Sequence, residues 1–114
     1  MKIKAISRYV QVSPYKLRPV ADVIRGQSVE KALAWLKTTL TRRAEPIYKV
    51  VSSAYANARN LHPEISSGAE VSIKMIKVDQ GPILKYFKPA AMGRAASLRK
   101  RLSHIEVILE KKSN

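Results

Sequence analysis

The chain has 114 residues, 46% of them apolar, and no cysteine, which fits one domain with a small core and excludes a disulfide framework or thiolate ligation. No apolar run approaches the roughly 18 residues needed to span a bilayer. Lysine and arginine number 22 against 8 acidic residues, a net charge of +14; a compact domain so charged repels itself unless a polyanion neutralises it, with nucleic acid the first candidate and an anionic membrane surface the second.

In chain order, residues 2–12 read as a strand with imperfect alternation: Ile6, Arg8, Val10 and Val12 fall on one face, Ile3 and Ala5 on the other. The same stretch lacks the apolar h-region of a signal peptide, so the protein is expected to work in the compartment that makes it. "SPYKLRPVADVIRG" reads as a helix, with Ser13 as N-cap and Pro14 at the first position, where a missing N–H costs nothing. Leu17, Val20, Ala21 and Ile24 form its apolar stripe, Arg25 sits in the last turn and Gly26 predicts the stop. Pro19 conflicts with this reading: mid-helix it removes a hydrogen bond and costs about 3 kcal/mol, so a kink or a later helix start is expected.

"SVEKALAWLKTTL" predicts a second helix capped by Ser28, with Val29, Ala32, Leu33, Leu36 and Leu40 in its stripe and Trp35 at the margin. A third helix carries Ala44, Ile47, Tyr48, Val51, Ala54, Tyr55 and Ala58 at the helical repeat, with Pro46 in its first turn, and ends at Asn60, His62 and Pro63. "AEVSIKMIKV" reads as a second strand whose alternation slips after Met75, which a bulge or a twist there would explain. "SHIEVILE" is a third strand with Ile105, Val107 and Leu109 facing one way and His104, Glu106, Ile108 and Glu110 the other, and the final "KKSN" is expected to fray. Helices grouped between strands predict an α+β fold: a small three-stranded antiparallel sheet with three helices packed on one face, the last two strands forming a hairpin.

That hairpin is long. Between the second and third strands lies "KYFKPAAMGRAASLRKR", with Lys85, Lys88, Arg94, Arg99, Lys100 and Arg101, and no acidic residue occurs between Asp79 and Glu106. Alternating patterns on both sides of Pro89 and Gly93 predict a two-stranded ribbon, about 80–103, whose arms of about eight residues reach roughly 25 Å from the body. A free two-stranded ribbon is marginal in water; phosphates would neutralise its charge and release counterions. Small residues at the tip allow close approach to a neighbour, while Tyr86 and Phe87 either stack on unpaired bases or pack at the ribbon's base. A second basic cluster, Lys2, Lys4, Arg8, Lys16, Arg18 and Arg25, reads either as phosphate contacts or as solvated surface.

Three motifs carry a resemblance. "SPYKLRPVADVIRG", "SSAYANARN" and "VDQGPILKYFKPAAMGRAASLRKRLSHIEVIL", in that order, resemble the signature stretches of the bacterial-type large-subunit ribosomal protein L-twenty-two family, over almost the whole chain. The resemblance implies a single domain over residues 1–114: an α+β body on the outside of the large subunit and a hairpin passing through ribosomal RNA, its tip lining the nascent-peptide exit tunnel. It implies large-subunit ribosomal RNA, neighbouring ribosomal proteins and the nascent peptide as partners, a role in assembly, no homo-oligomer, no cofactor and no metal. The implied ribosomal RNA contacts are Lys16, Arg18, Arg25, Lys85, Lys88, Arg94, Arg99, Lys100 and Arg101; the implied tunnel tip is Lys88, Pro89, Ala90, Ala91, Met92, Gly93, Arg94 and Ala95. The implied location is the ribosome, in a bacterial cytosol or a plastid stroma. This chain departs from many relatives at Ala90 and Met92, where a basic residue is common, at Tyr86, often Arg or Lys, and at Pro19, usually aliphatic.

The alternative from the residues alone is a DNA-binding architectural protein that uses a basic β-arm with a proline near its tip. A peripheral membrane protein fits less well, because no helix sets a broad apolar face against a lysine-rich one. Catalysis is not expected: His62 and His104 are far apart in sequence, the acidic residues show no paired-carboxylate or metal-ligand spacing, and the four glycines form no phosphate loop. At the start of a strand, His104 suits a structural hydrogen bond or an RNA contact better than proton transfer.

Overall fold

The computed structural model describes residues 2–39, 44–89 and 95–111, with Lys2, 83–89 and 95–100 described by backbone alone. Strand β1 (Lys2–Val10) is followed by helices α1 (Pro14–Ile24), α2 (Val29–Thr38) and α3 (Ala44–Leu61), a short 3-10 turn at Gly68–Glu70, and strands β2 (Val71–Pro89) and β3 (Ala95–Lys111). Both neighbours of β3 run antiparallel to it, giving the order β1-β3-β2. This is the α+β arrangement expected, with the second and third strands joined as a hairpin.

One face of the sheet carries the core. Ile3 and Ala5, Ile73, Ile76 and Val78, and Ile105, Val107 and Leu109 are buried there against Leu17, Ala21 and Ile24 of α1, Val29, Ala32 and Leu36 of α2, and Ile47, Val51, Ala54 and Ala58 of α3. Each larger aliphatic side chain so buried contributes about 1.5–3 kcal/mol. Val50 joins the stripe of α3, and Ile65 closes the core from the connection to β2; neither stood out in the sequence. Ile65 lies in a loop, where no periodicity marks it, and Val50 widens a stripe already complete without it. Trp35, Tyr48 and Tyr55 pack at the margin. Met75 lies opposite Ile108 after a shift in register between Ile73 and Met75, so the slip in alternation is a bulge.

Helix α1 starts at Pro14 and runs through Pro19, so the later start is ruled out. Pro19 and Tyr15, the residue whose carbonyl loses its helical partner, both lie on the exposed side, where solvent can replace the lost bond. Ser13 occupies the N-cap position, but its hydroxyl makes no capping bond; its carbonyl instead accepts from the N–H groups of Lys16 and Leu17 at 3.1 and 3.3 Å. Ser28 caps α2, its hydroxyl oxygen accepting from the Lys31 N–H at 3.3 Å. Gly26 adopts φ +84°, the left-handed conformation that ends a helix most cheaply with glycine.

The turn after α1 also protects the free edge of β2. The Gly26 N–H donates to the Ile73 carbonyl at 3.0 Å, and the Ile73 N–H donates to the Gln27 carbonyl at 2.9 Å. Further along the same edge, Arg25 Nη2 donates to the Ile76 carbonyl at 2.9 Å and Arg18 Nη2 to the Val78 carbonyl at 3.4 Å. Backbone and guanidinium groups thus occupy an edge that would otherwise invite another strand.

A candidate nucleic-acid interface

Beyond the body the sheet narrows to two strands. The last pairs near the end of β1 are Val10 with Ser103 and, across β3, Gln80 with Ser103; β2 and β3 then continue alone from Ile83 with Arg101 to Pro89 with Ala95. The longest dimension of the chain is 67 Å and its radius of gyration 17.3 Å, against about 13 Å for a compact domain of this length. The tip residues Ala90, Ala91, Met92, Gly93 and Arg94, together with Leu40 and the tail beyond Lys111, lie outside the described residues.

A compact junction marks the root of this arm. Tyr9 holds φ +57°, an uncommon conformation for a bulky residue, and its N–H donates to His104 Nδ1 at 3.1 Å. The two rings meet edge to face with centroids 5.0 Å apart. Across β3, a Cβ at Gly81 would lie 3.2 Å from the His104 ring and from the Leu102 carbonyl oxygen, so the close approach favours glycine. Ser103, fully buried, donates its hydroxyl to the Val12 carbonyl at 2.6 Å. Register shifts on both sides, between Ser7 and Val10 and between Gln80 and Ile83, converge on these residues. His104 therefore has the structural hydrogen bond that its position suggested.

Along the arm the ladder sets Lys85 opposite Arg99, Leu84 opposite Lys100, Tyr86 opposite Leu98, Phe87 opposite Ser97 and Lys88 opposite Ala96. Like charges directly opposite one another destabilise a strand pair, and this segment contains no acid.

The basic residues on α1 and at its C-cap divide into two kinds. Arg25 is engaged by the body, pairing with Asp22 at 2.6 Å as well as with the β2 edge. Lys16 is exposed. Arg18 and Arg101, remote in sequence, are brought together by Tyr15: their guanidinium carbons lie 5.6 and 5.8 Å from the centre of its ring, within cation–π range. Tyr15 is 63% exposed. Sequence reasoning did not single it out, although its place one helical turn before Arg18 was the available signal.

Acidic groups are occupied mostly within the body. Lys4 pairs with Glu106 at 3.2 Å, Lys49 with Glu45 at 3.2 Å, Lys74 with Glu110 at 3.6 Å and Lys77 with Asp79 at 3.8 Å; Glu70 accepts from the Ser66 hydroxyl at 2.8 Å. Glu64 lies 3.4 Å from His62 Nδ1, and a backbone hydrogen bond, aided by His62 and Lys111, holds its carboxyl below its ordinary range. Among the described residues, no group of three His, Asp or Glu side chains could hold a metal ion, and no helix is long and apolar enough to cross a membrane.

The family comparison gives this α+β body and its charged two-stranded arm a class: the model for "Ribosomal protein L22p/L17e" matches residues 5–110. The chain belongs to this family. It is 50% identical over 109 residues to the "Large ribosomal subunit protein uL22" of Desulfitobacterium hafniense (strain Y51), covering 96% of this chain and 94% of that one. It is 47% identical over 112 residues to the protein of the same name from Clostridioides difficile (strain 630), covering 98% and 99%.

Proposed function

We propose that this chain is a structural constituent of the large ribosomal subunit, a single domain over residues 1–114 whose basic hairpin, about 80–103, is enclosed by ribosomal RNA. Its role is architectural and not catalytic: it binds large-subunit ribosomal RNA, supports its folding during assembly, and presents the hairpin tip to the nascent peptide in the exit tunnel. Lys16, Arg18, Arg25, Lys85, Lys88, Arg94, Arg99, Lys100 and Arg101 contact RNA in this reading, and the tip from Lys88 to Ala95 faces the tunnel. Its place is within the ribosome, beside other large-subunit proteins, in a bacterial cytosol or a plastid stroma.

The observation that carries the reading is the arm itself: a two-stranded ladder with Lys85 set against Arg99 and no acid between Asp79 and Glu106. Such an arm needs external counter-charge, and a polynucleotide supplies it along its whole length. Full ribosomal homologues over nearly the entire chain support the choice of RNA. The test is sedimentation of a cell extract through a gradient at moderate salt. The protein should travel with the large subunit; migration with DNA, or as a free protein, would refute the proposal.

A further inference from the structure

We infer that Tyr15 organises Arg18 and Arg101 into a paired-guanidinium site for the phosphodiester backbone of RNA at the root of the hairpin. The inference rests on the ribosomal RNA reading above and assigns to it a residue outside the proposed set of contacts. Tyr15 stands in the first turn of α1 with most of its side chain exposed. Its ring lies near one guanidinium from its own helix and one from β3, at 5.6 and 5.8 Å.

Two like charges gather at this ring. Asp79, which follows the carbonyl that Arg18 contacts, lies 3.8 Å from Lys77, and Asp22, one turn along α1 from Arg18, pairs with Arg25 at 2.6 Å. The quadrupole of an aromatic ring attracts both cations without consuming their N–H donors. Arg18 spends a donor on the Val78 carbonyl, which fixes its position, and a guanidinium has five. The remaining donors suit phosphate oxygens, the ligand for which arginine's fork geometry is best matched. Because one arginine belongs to the body and the other to the arm, a phosphate bound here ties the arm's root to α1. Tyr15 is thus a positioning residue acting through the two arginines.

The test uses the full-length chain and transcribed large-subunit ribosomal RNA, with affinity measured across a potassium chloride series. Arg18→Gln and Arg101→Gln should each lower the slope of log affinity against log salt by about one. Tyr15→Phe keeps the ring and should bind as the parent does. Tyr15→Leu, at an exposed position, should keep the melting temperature yet lose affinity about three- to tenfold, a loss within the range ascribed to cation–π contacts. In the Tyr15→Leu background, Arg18→Gln should cost less than in the parent. Equal affinity of the Tyr15→Leu and parent proteins, or an undiminished cost of Arg18→Gln in that background, would overturn the inference. So would displacement of the RNA by polyglutamate that disappears on Arg101→Gln, since the site would then serve an acidic protein. A parent protein whose RNA binding ignores salt would instead sink the broader RNA reading.

Discussion

Replacing residues 83–101 with an Asn-Gly turn separates the arm from the body. The core cluster of described side chains is drawn from β1, the three helices, the sheet portions of β2 and β3, and Ile65, and the last body pair, Gln80 with Ser103, remains to anchor the shortened hairpin. Stability should therefore change by no more than about 1 kcal/mol, or roughly 4–8 °C in melting temperature for a domain of this size, with an upward shift favoured by removal of the Lys85–Arg99 opposition. RNA binding should change far more. The deletion removes Lys85, Lys88, Arg94, Arg99, Lys100 and Arg101. At about 0.9 in slope per neutralised phosphate, the salt dependence should flatten by about 5, which removes roughly a thousandfold of salt sensitivity between about 50 and 200 mM. Calorimetry and filter binding on the same preparation measure both quantities. Loss of cooperative melting would show that the core extends into the arm; an unchanged salt slope would show that the arm's cations do not meet phosphates.

Leu17→Ala, at a fully buried position in α1, should cost about 2–5 kcal/mol, read as a lower urea midpoint with little change in slope. Gly81→Ala should cost about 1–3 kcal/mol through overpacking, because the new methyl meets the Leu102 carbonyl and a His104 ring already fixed by Tyr9; an unchanged melting temperature would show that the junction yields freely. Arg25→Ala should cost about 1 kcal/mol by freeing the Ile76 carbonyl on the β2 edge, measured by urea unfolding. Glu64, whose carboxyl is held low chiefly by a backbone hydrogen bond, should titrate below an ordinary glutamate by NMR. Its folded pKa is depressed, so its stabilising effect is present above the ordinary carboxylate pKa and fades as pH falls through the lowered value.

Periodicity made much of the body legible. The stripe Leu17, Ala21 and Ile24 and the alternation Ile105, Val107 and Leu109 mark buried faces in sequence as they do in space, because a helix and a strand each impose a fixed repeat. The slip near Met75 was visible for the same reason, and the register shift there is a bulge in place of the twist that would also have broken the repeat. Pro19 misled because a proline penalty depends on which face loses the bond, and that follows from packing. The Tyr15 cluster was hidden because Arg18 and Arg101 meet only once α1 lies along β2 beside the hairpin's root. Likewise the guanidinium contacts of Arg18 and Arg25 with edge carbonyls are tertiary, and nothing in a basic sequence separates an arginine that seals an edge from one awaiting a phosphate.

That distinction bears on how a chain of net charge +14 holds together. In the body, lysines meet carboxylates across neighbouring strands and along α3, as in the pairs Lys4–Glu106, Lys74–Glu110 and Lys49–Glu45. Exposed pairs of this kind are each worth about 0–1 kcal/mol; their larger effect is to cancel local repulsion where the core must close. The arm has no acids with which to do the same, and its ladder sets Lys85 opposite Arg99. In water such an opposition costs about 1 kcal/mol or less, small beside the stability of a domain but large for a two-stranded ribbon, which is marginal by itself. On this reckoning the body's fold does not rest on the arm, whose own ladder carries the uncompensated charge. The junction built from Tyr9, Gly81, Ser103 and His104 marks the boundary between the two.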